Sequence, residues 1–252
     1  MKDGKSSFLS IAPSLVRNLI SYSVSRASKH RFLRRVLGEF KAVGGRIEPI
    51  FLNELPMVSG VSVTTGLVSG AVVALVAKAI DARQMFEFGT NLGETAMFIA
   101  ENCPNCDVVT LDLPDGMTFE EANQHSPLEI TDRYLFNGRC GTAIRGEAAK
   151  RIEQIRQDSA TFDPGPFAAR FDLIYIDGSH SYSAVKEDSG KAFVMLKPGG
   201  TIIWDDYLYP GVYRYLNELA EARPDLKLRY LYDWGKVILL HDQPTWCPNL
   251  NA

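Results

Sequence analysis

Residues 171–177 read Phe-Asp-Leu-Ile-Tyr-Ile-Asp, and the chain runs on through Gly178-Ser179-His180-Ser181-Tyr182. A short apolar run that ends in an acid and a glycine reads as a strand buried on both faces, stopping at a polar turn. The same texture recurs on either side. It appears at 85–89 (MFEFG), 107–113 (DVVTLDL), about 152–157 and 200–204 (GTIIW). Helical stretches fall between these runs, at about 93–102, 140–150, 181–196 and 211–222. Strands alternating with helices imply a parallel sheet covered on both faces. The last two runs, 227–233 and 236–240, are separated only by Trp234-Gly235. That is too short for a crossover, so they form a hairpin and one of them is antiparallel to the rest. The expected fold is α/β: a doubly wound, Rossmann-like sheet of seven strands ending in an antiparallel hairpin, with N-terminal helices.

The 252 residues are enough for one large domain and an appendage. We expect an N-terminal helical, basic segment over 1–56 and the α/β domain over 57–252. Residues 1–50 carry ten Lys/Arg against three Asp/Glu, while the remainder carries 17 against 27. A basic arm thus precedes an acidic body. Such an arm can touch a membrane surface, but a solvated helix face is the better reading of an isolated charge run. The overall charge of −3 argues against bulk nucleic-acid binding. Leu55 to Ala77 is free of charged residues. It contains Pro56 and several Gly, Ser and Thr, so it reads as a loop followed by a buried helix at 67–80, not as a span. Cys103-Pro-Asn-Cys106 has redox or zinc spacing but no second pair to complete a zinc site. It leads into a strand, so it reads as a loop, with a labile disulfide as the lesser alternative. The start MKDGKSS lacks a signal-peptide pattern, and a reducing, cytoplasmic compartment is expected.

Acidic and polar groups gather where the strands end. Glu87-Phe-Gly89-Thr90-Asn91-Leu-Gly93 closes the first run with glycines suited to a tight turn into a helix. This is not the G-x-G-x-x-G of a pyrophosphate binder. Asp112 follows about twenty residues later, the distance of a ribose-binding carboxylate. Asp158-Ser159, Asp177 and Asp205-Asp206 end the next three runs. Any one of these acids can equally cap a helix. Together, at one edge of an open α/β sheet, they mark a binding cleft.

Phe171–Tyr182 with Asp188, Leu196-Lys-Pro-Gly-Gly200 and Trp204-Asp-Asp-Tyr207 resembles the class I S-adenosylmethionine-dependent methyltransferases. Within these it is closest to the branch of macrolide sugar O-methyltransferases and cephalosporin-hydroxylase-like proteins. The resemblance covers roughly residues 57–242, and Asn91 stands where a middle glycine is commoner. It implies S-adenosylmethionine as cofactor. Glu87, Gly89, Thr90, Asn91 and Gly93 would border its methionine and ribose parts, with Asp177 nearby. Asp112 would bind the ribose hydroxyls, and Asp158 and Ser159 would lie by the adenine. Asp177, Asp205 and Asp206 would hold a divalent metal, Mg²⁺, and His180 would be the general base.

The chemistry agrees with those roles. Methyl transfer expels a neutral thioether, so no acid is needed there, whereas the acceptor hydroxyl must lose its proton. Oxygen ligands suit Mg²⁺, and histidine titrates near neutrality. The expected partner is a small-molecule hydroxyl acceptor, and homo-oligomerisation stays open. Competing readings are a metal-independent methyltransferase with His180 alone, a methyltransferase-like hydroxylase, a nicotinamide oxidoreductase and a non-catalytic module carried by the basic arm. His30, His125 and His241 read as packing or surface residues. Residues 114–150 read as a lid or substrate loop, in which Arg139 and Arg145 could meet an anionic substrate.

Overall fold

The structure is a computed structural model that describes residues 48–50, 68–125, 140–231 and 235–239. The expected N-terminal helices, the basic arm, His30, Arg139 and His241 lie outside the described residues, as does the side chain of His125. The elements are β1 (Glu48–Ile50), α1 (Val68–Ala79), β2 (Gln84–Phe88), α2 (Glu94–Asn102), β3 (Asp107–Asp112), α3 (Phe119–His125) and β4 (Ile152–Arg156). They continue as β5 (Phe171–Ile176), α4 (Tyr182–Met195), β6 (Leu196–Trp204), α5 (Pro210–Ala222), β7 (Leu228–Leu231) and β8 (Lys236–Leu239). The strands form one sheet in the order β1-β7-β8-β6-β5-β2-β3-β4. β8 runs antiparallel to both β6 and β7, and the other pairs are parallel. The doubly wound sheet with its terminal hairpin is therefore present, with the three-residue β1 as an eighth strand on the β7 edge.

From β2 the chain winds outward through β3 and β4, then returns to β5 on the other side of β2. The reversal opens a crevice at the carboxyl ends of β2 and β5, where open α/β sheets bind ligands.

Period-2 alternation decides what each face carries. On one face Met85, Val108, Leu173, Ile203, Leu231 and Ile238 pack with α1 and α2 through Val72, Val73, Val76, Phe98 and Ile99. α1 is the charge-poor helix expected from the sequence, and no helix among the described residues is long and apolar enough to cross a membrane. On the other face Phe86 meets Phe88 at 4.8 Å and Phe171 at 5.2 Å between ring centroids. There Trp204 is fully buried and its Nε1 donates to Ser189 Oγ of α4 at 2.9 Å.

The helix expected at 140–150 is absent. Gly141 and Gly146 take φ of 71° and 83°, and only a 3₁₀ turn, Ala148–Arg151, forms before β4. Long-range backbone pairing wins over local helix preference here. Gly141 N donates to Asn91 O at 2.7 Å and Ala143 N to Leu92 O at 2.8 Å, strapping 140–144 onto the turn after β2.

Cys103 and Cys106 are both free and buried, one closing α2 and the other preceding β3. Burial pushes the Cys106 thiol up to about 12, which keeps it an inert packing group.

Candidate active site at the carboxyl edge of the sheet

Strand register builds the site in two rungs on the α1/α2 face. Thr110, Glu87 and Tyr175 stand level with one another across β3, β2 and β5. The next rung follows from the same register. It holds Asp112, Asp177 and Asp205, with Lys236 opposite Asp205 across the antiparallel β6–β8 pair. The ladder continues past the strand ends, since Gly89 N donates to Leu111 O, Asp177 N to Phe88 O and Asp205 N to Ile176 O. The apolar core therefore turns polar within two residues of the crevice.

In the upper part, Thr90 Oγ1 lies 2.7 Å from Thr110 Oγ1, which donates to Glu87 Oε2 at 2.6 Å. Glu87 is 1% exposed. Loss of water pushes its carboxyl up to about 8, against the Thr110 hydrogen bond, and nearby Asp177 and Asp112 push the same way. Asp112 accepts from Asn91 N and Leu113 N, both at 2.7 Å, which fixes its carboxylate at the mouth of the turn. Asn91 has φ 46°, so the residue at the middle glycine position adopts the left-handed conformation that asparagine tolerates. Gly93 caps α2. Cys140, on the strap, lies beside Asp112 and Thr90.

Asp158 caps the 3₁₀ turn Ser159–Thr161 by accepting from Ala160 N at 2.9 Å. Ser159 hydrogen-bonds Asp188 of α4, a buried carboxyl that burial raises to about 7. Lys191 binds the Ser159 and Ala160 carbonyls from the same helix. This loop is thus tied to α4, on the side of the sheet opposite Glu87.

The lower part centres on Asp177, His180 and Asp206. Each offers one ligand atom, and these atoms lie within 4.8 Å of one another. His180 is 5% exposed. Its Nε2 is 3.0 Å from Asp206 Oδ2, and its ring stacks on Tyr209 with centroids 4.3 Å apart. The backbone beneath it is held by close approach of α5. A Cβ on Gly211 would come within 2.3 Å of His180 O, so only glycine lets the helix start there. Burial and the neighbouring Asp205 raise the Asp177 carboxyl well above its ordinary range. A small cavity behind the cluster is lined by Asp177, His180, Asp205, Val185, Trp204 and Val212.

Against this geometry stands a family match: residues 86–207 correspond to the family described as methyltransferase domain. Residues 86–207 carry a methyltransferase domain. Among solved structures it is similar to the O-methyltransferase TomG of Streptomyces achromogenes in complex with SAM, at 19% identity and TM-score 0.46, over 72% of this chain and 82% of that one. It is also similar to the SAH-bound methyltransferase PaMTH1 of Podospora anserina, at 15% identity and TM-score 0.46, over 71% and 80%. No curated protein matches the sequence.

The methyltransferase domain brings together most of the residues singled out from its sequence. Glu87, Gly89, Thr90, Asn91, Gly93 and Asp112 surround the turn after β2, and Asp177, His180 and Asp206 form one cluster. Asp205 is set apart from that cluster. Its Oδ1 accepts from Asp206 N at 2.7 Å, and its Oδ2 pairs with Lys236 Nζ and Tyr175 OH. Lys236, 1% exposed, and Tyr175 were not singled out from the sequence. Tyr175 stands two residues before Asp177 on the same face, which period 2 alone signals. Lys236 needs the β6–β8 register, and sequence spacing does not supply it.

Proposed function

We propose that this domain methylates a hydroxyl group of a small molecule, with His180 as general base and a divalent ion, Mg²⁺, held by Asp177 and Asp206. The observation that carries this reading is the Asp177–His180–Asp206 cluster at the switch crevice, with its ligand atoms within 4.8 Å. Mg²⁺ typically takes one or two carboxylates, keeps several waters and completes its shell with substrate oxygen, which fits this donor set. When bound, the ion would lower the acceptor hydroxyl's pKa. His180 accepts the proton on its imidazole ring, whose Nε2 lies 3.0 Å from Asp206 Oδ2. Asp206 beside it stabilises the imidazolium that results. Stacking on Tyr209 holds the ring in place, so little is lost to side-chain disorder during transfer.

The cofactor supplies an electrophilic methyl group. Asp112 uses part of its acceptor capacity on two backbone N–H groups, and the remainder suits the ribose hydroxyls. Glu87, Gly89, Thr90, Asn91 and Gly93 form the turn beside the methionine portion, with Asp158 and Ser159 near the adenine. The His180–Asp206 contact also favours a second reading, in which this pair removes the proton without metal.

Calorimetric titration with S-adenosylmethionine, with and without Mg²⁺, is the direct test. Binding is expected, and Asp112→Ala should weaken it about tenfold or more, since hydrogen bonds to a charged group contribute about 1.5–3 kcal/mol each. Absence of binding under both conditions overturns the reading. His180→Ala is expected to keep cofactor affinity while transfer of labelled methyl to a panel of sugar and phenolic hydroxyls falls roughly 10²–10⁴-fold. Unchanged turnover removes His180 from the chemistry. Turnover that survives a chelator selects the metal-free pair.

A further inference from the structure

The geometry points to Lys236 as an internal cation that withdraws Asp205 from the metal-ligand set, leaving Asp177 and Asp206 to hold the ion. This rests on the metal reading above and deepens it, because the three carboxylates Asp177, Asp205 and Asp206 are sorted into two ligands and one structural anion.

Both oxygens of Asp205 are engaged by the protein. Oδ1 takes the Asp206 amide at 2.7 Å, and Oδ2 takes the Lys236 ammonium together with the Tyr175 hydroxyl. Lys236 is 1% exposed and Asp205 7%, so water screens the pair little. Breaking such a pair leaves an uncompensated buried charge, which holds Asp205 in place. Lys236 Nζ also donates to Tyr175 OH at 3.1 Å, and that hydroxyl is 2.9 Å from Asp177 Oδ2. One buried lysine therefore neutralises the first carboxylate and holds the phenol whose oxygen lies against the second. Asp205 is absent from the group of residues whose ligand atoms converge. Two carboxylates in place of three imply a weak, exchangeable ion, completed by the acceptor oxygen.

Mn²⁺ binding followed by electron paramagnetic resonance, with calorimetry of Mg²⁺ beside it, reads the ligand set without turnover. The charge-balanced double variant Asp205→Asn/Lys236→Met is expected to bind Mn²⁺ within about threefold of the unaltered protein, since it removes no ligand. Asp206→Asn is expected to lose about tenfold or more, and Lys236→Met to gain about tenfold by releasing a carboxylate. The double variant protects the test against a single substitution that fails to fold, because it removes both charges together. Loss in the double variant equal to that in Asp206→Asn makes Asp205 a ligand and overturns the inference alone. No Mn²⁺ bound by the unaltered protein overturns the metal reading and this inference with it.

Discussion

Gly89→Ala is expected to abolish S-adenosylmethionine binding and to destabilise the domain by more than about 4 kcal/mol, a size reserved for clear structural damage. Gly89 has φ +92°, and a Cβ placed there would lie 2.2 Å from Asp177 O, 2.7 Å from Asp177 C and 2.9 Å from Gly178 N. All three are backbone atoms of the neighbouring strand end, so no side chain can turn aside. The left-handed backbone alone costs an L-residue about 1–2 kcal/mol. The rest comes from prising β2 and β5 apart at the switch crevice, where Asp177 N still donates to Phe88 O across the pair. Gly116→Ala is the control. It has φ +83° with nothing within 4 Å of the added carbon, so it isolates the backbone cost. Urea unfolding of both variants decides the matter. Equal losses in the two would show that the Asp177 backbone yields freely, and the tight β2–β5 closure would then have no role.

The legible parts of this fold are those whose signal is local. β5 is buried on both faces, and its run of Phe171 to Ile176 announces a central strand without help from neighbours. The Trp234-Gly235 spacing forces an antiparallel partner by length alone. The failures are non-local. Residues 140–150 have helical composition, yet Gly141 pairs with Asn91 and the segment becomes a strap. β1 has three residues, too few for any periodic signal, and exists through its pairing with β7. The site divides the same way. Acids at strand ends are visible because a strand end can be read from its own sequence. The distinction between Asp205 and Asp206 is not, because it depends on Lys236 arriving opposite Asp205 from a strand that pairs out of sequence order. Adjacent carboxylates of one type thus take different partners, Lys236 for Asp205 and His180 for Asp206.

Glu87→Gln is expected to stabilise the cofactor-free domain in alkaline solution and to leave it nearly unchanged in acid. The folded carboxyl titrates at about 8 against an ordinary 4.5, chiefly because burial disfavours the anion. Below the lower value both folded and unfolded chains carry the proton, and Glu87 contributes no pH dependence. Between the two values the unfolded chain has released its proton and the folded chain keeps it. Folding then weakens as pH rises, by about 1.4 kcal/mol per unit, to a ceiling of about 5 kcal/mol once pH exceeds the folded value. Glutamine removes that slope while its side-chain oxygen can still accept from Thr110 Oγ1, the bond that Glu87 makes at 2.6 Å. Asp177 is also raised, so some decline with pH persists in the variant and only the difference between the two proteins isolates Glu87. Urea unfolding at pH 5 and pH 8.5 should show the variant's advantage growing by about 3 kcal/mol or more between them. Parallel pH profiles would mean that Glu87 ionises without penalty, and that the rung it shares with Thr110 and Tyr175 is hydrated instead of dry. A domain that keeps an acid at such a cost, level with the crevice, sacrifices stability at the place where a cationic sulfonium cofactor is proposed to bind, which is where function and stability are expected to conflict.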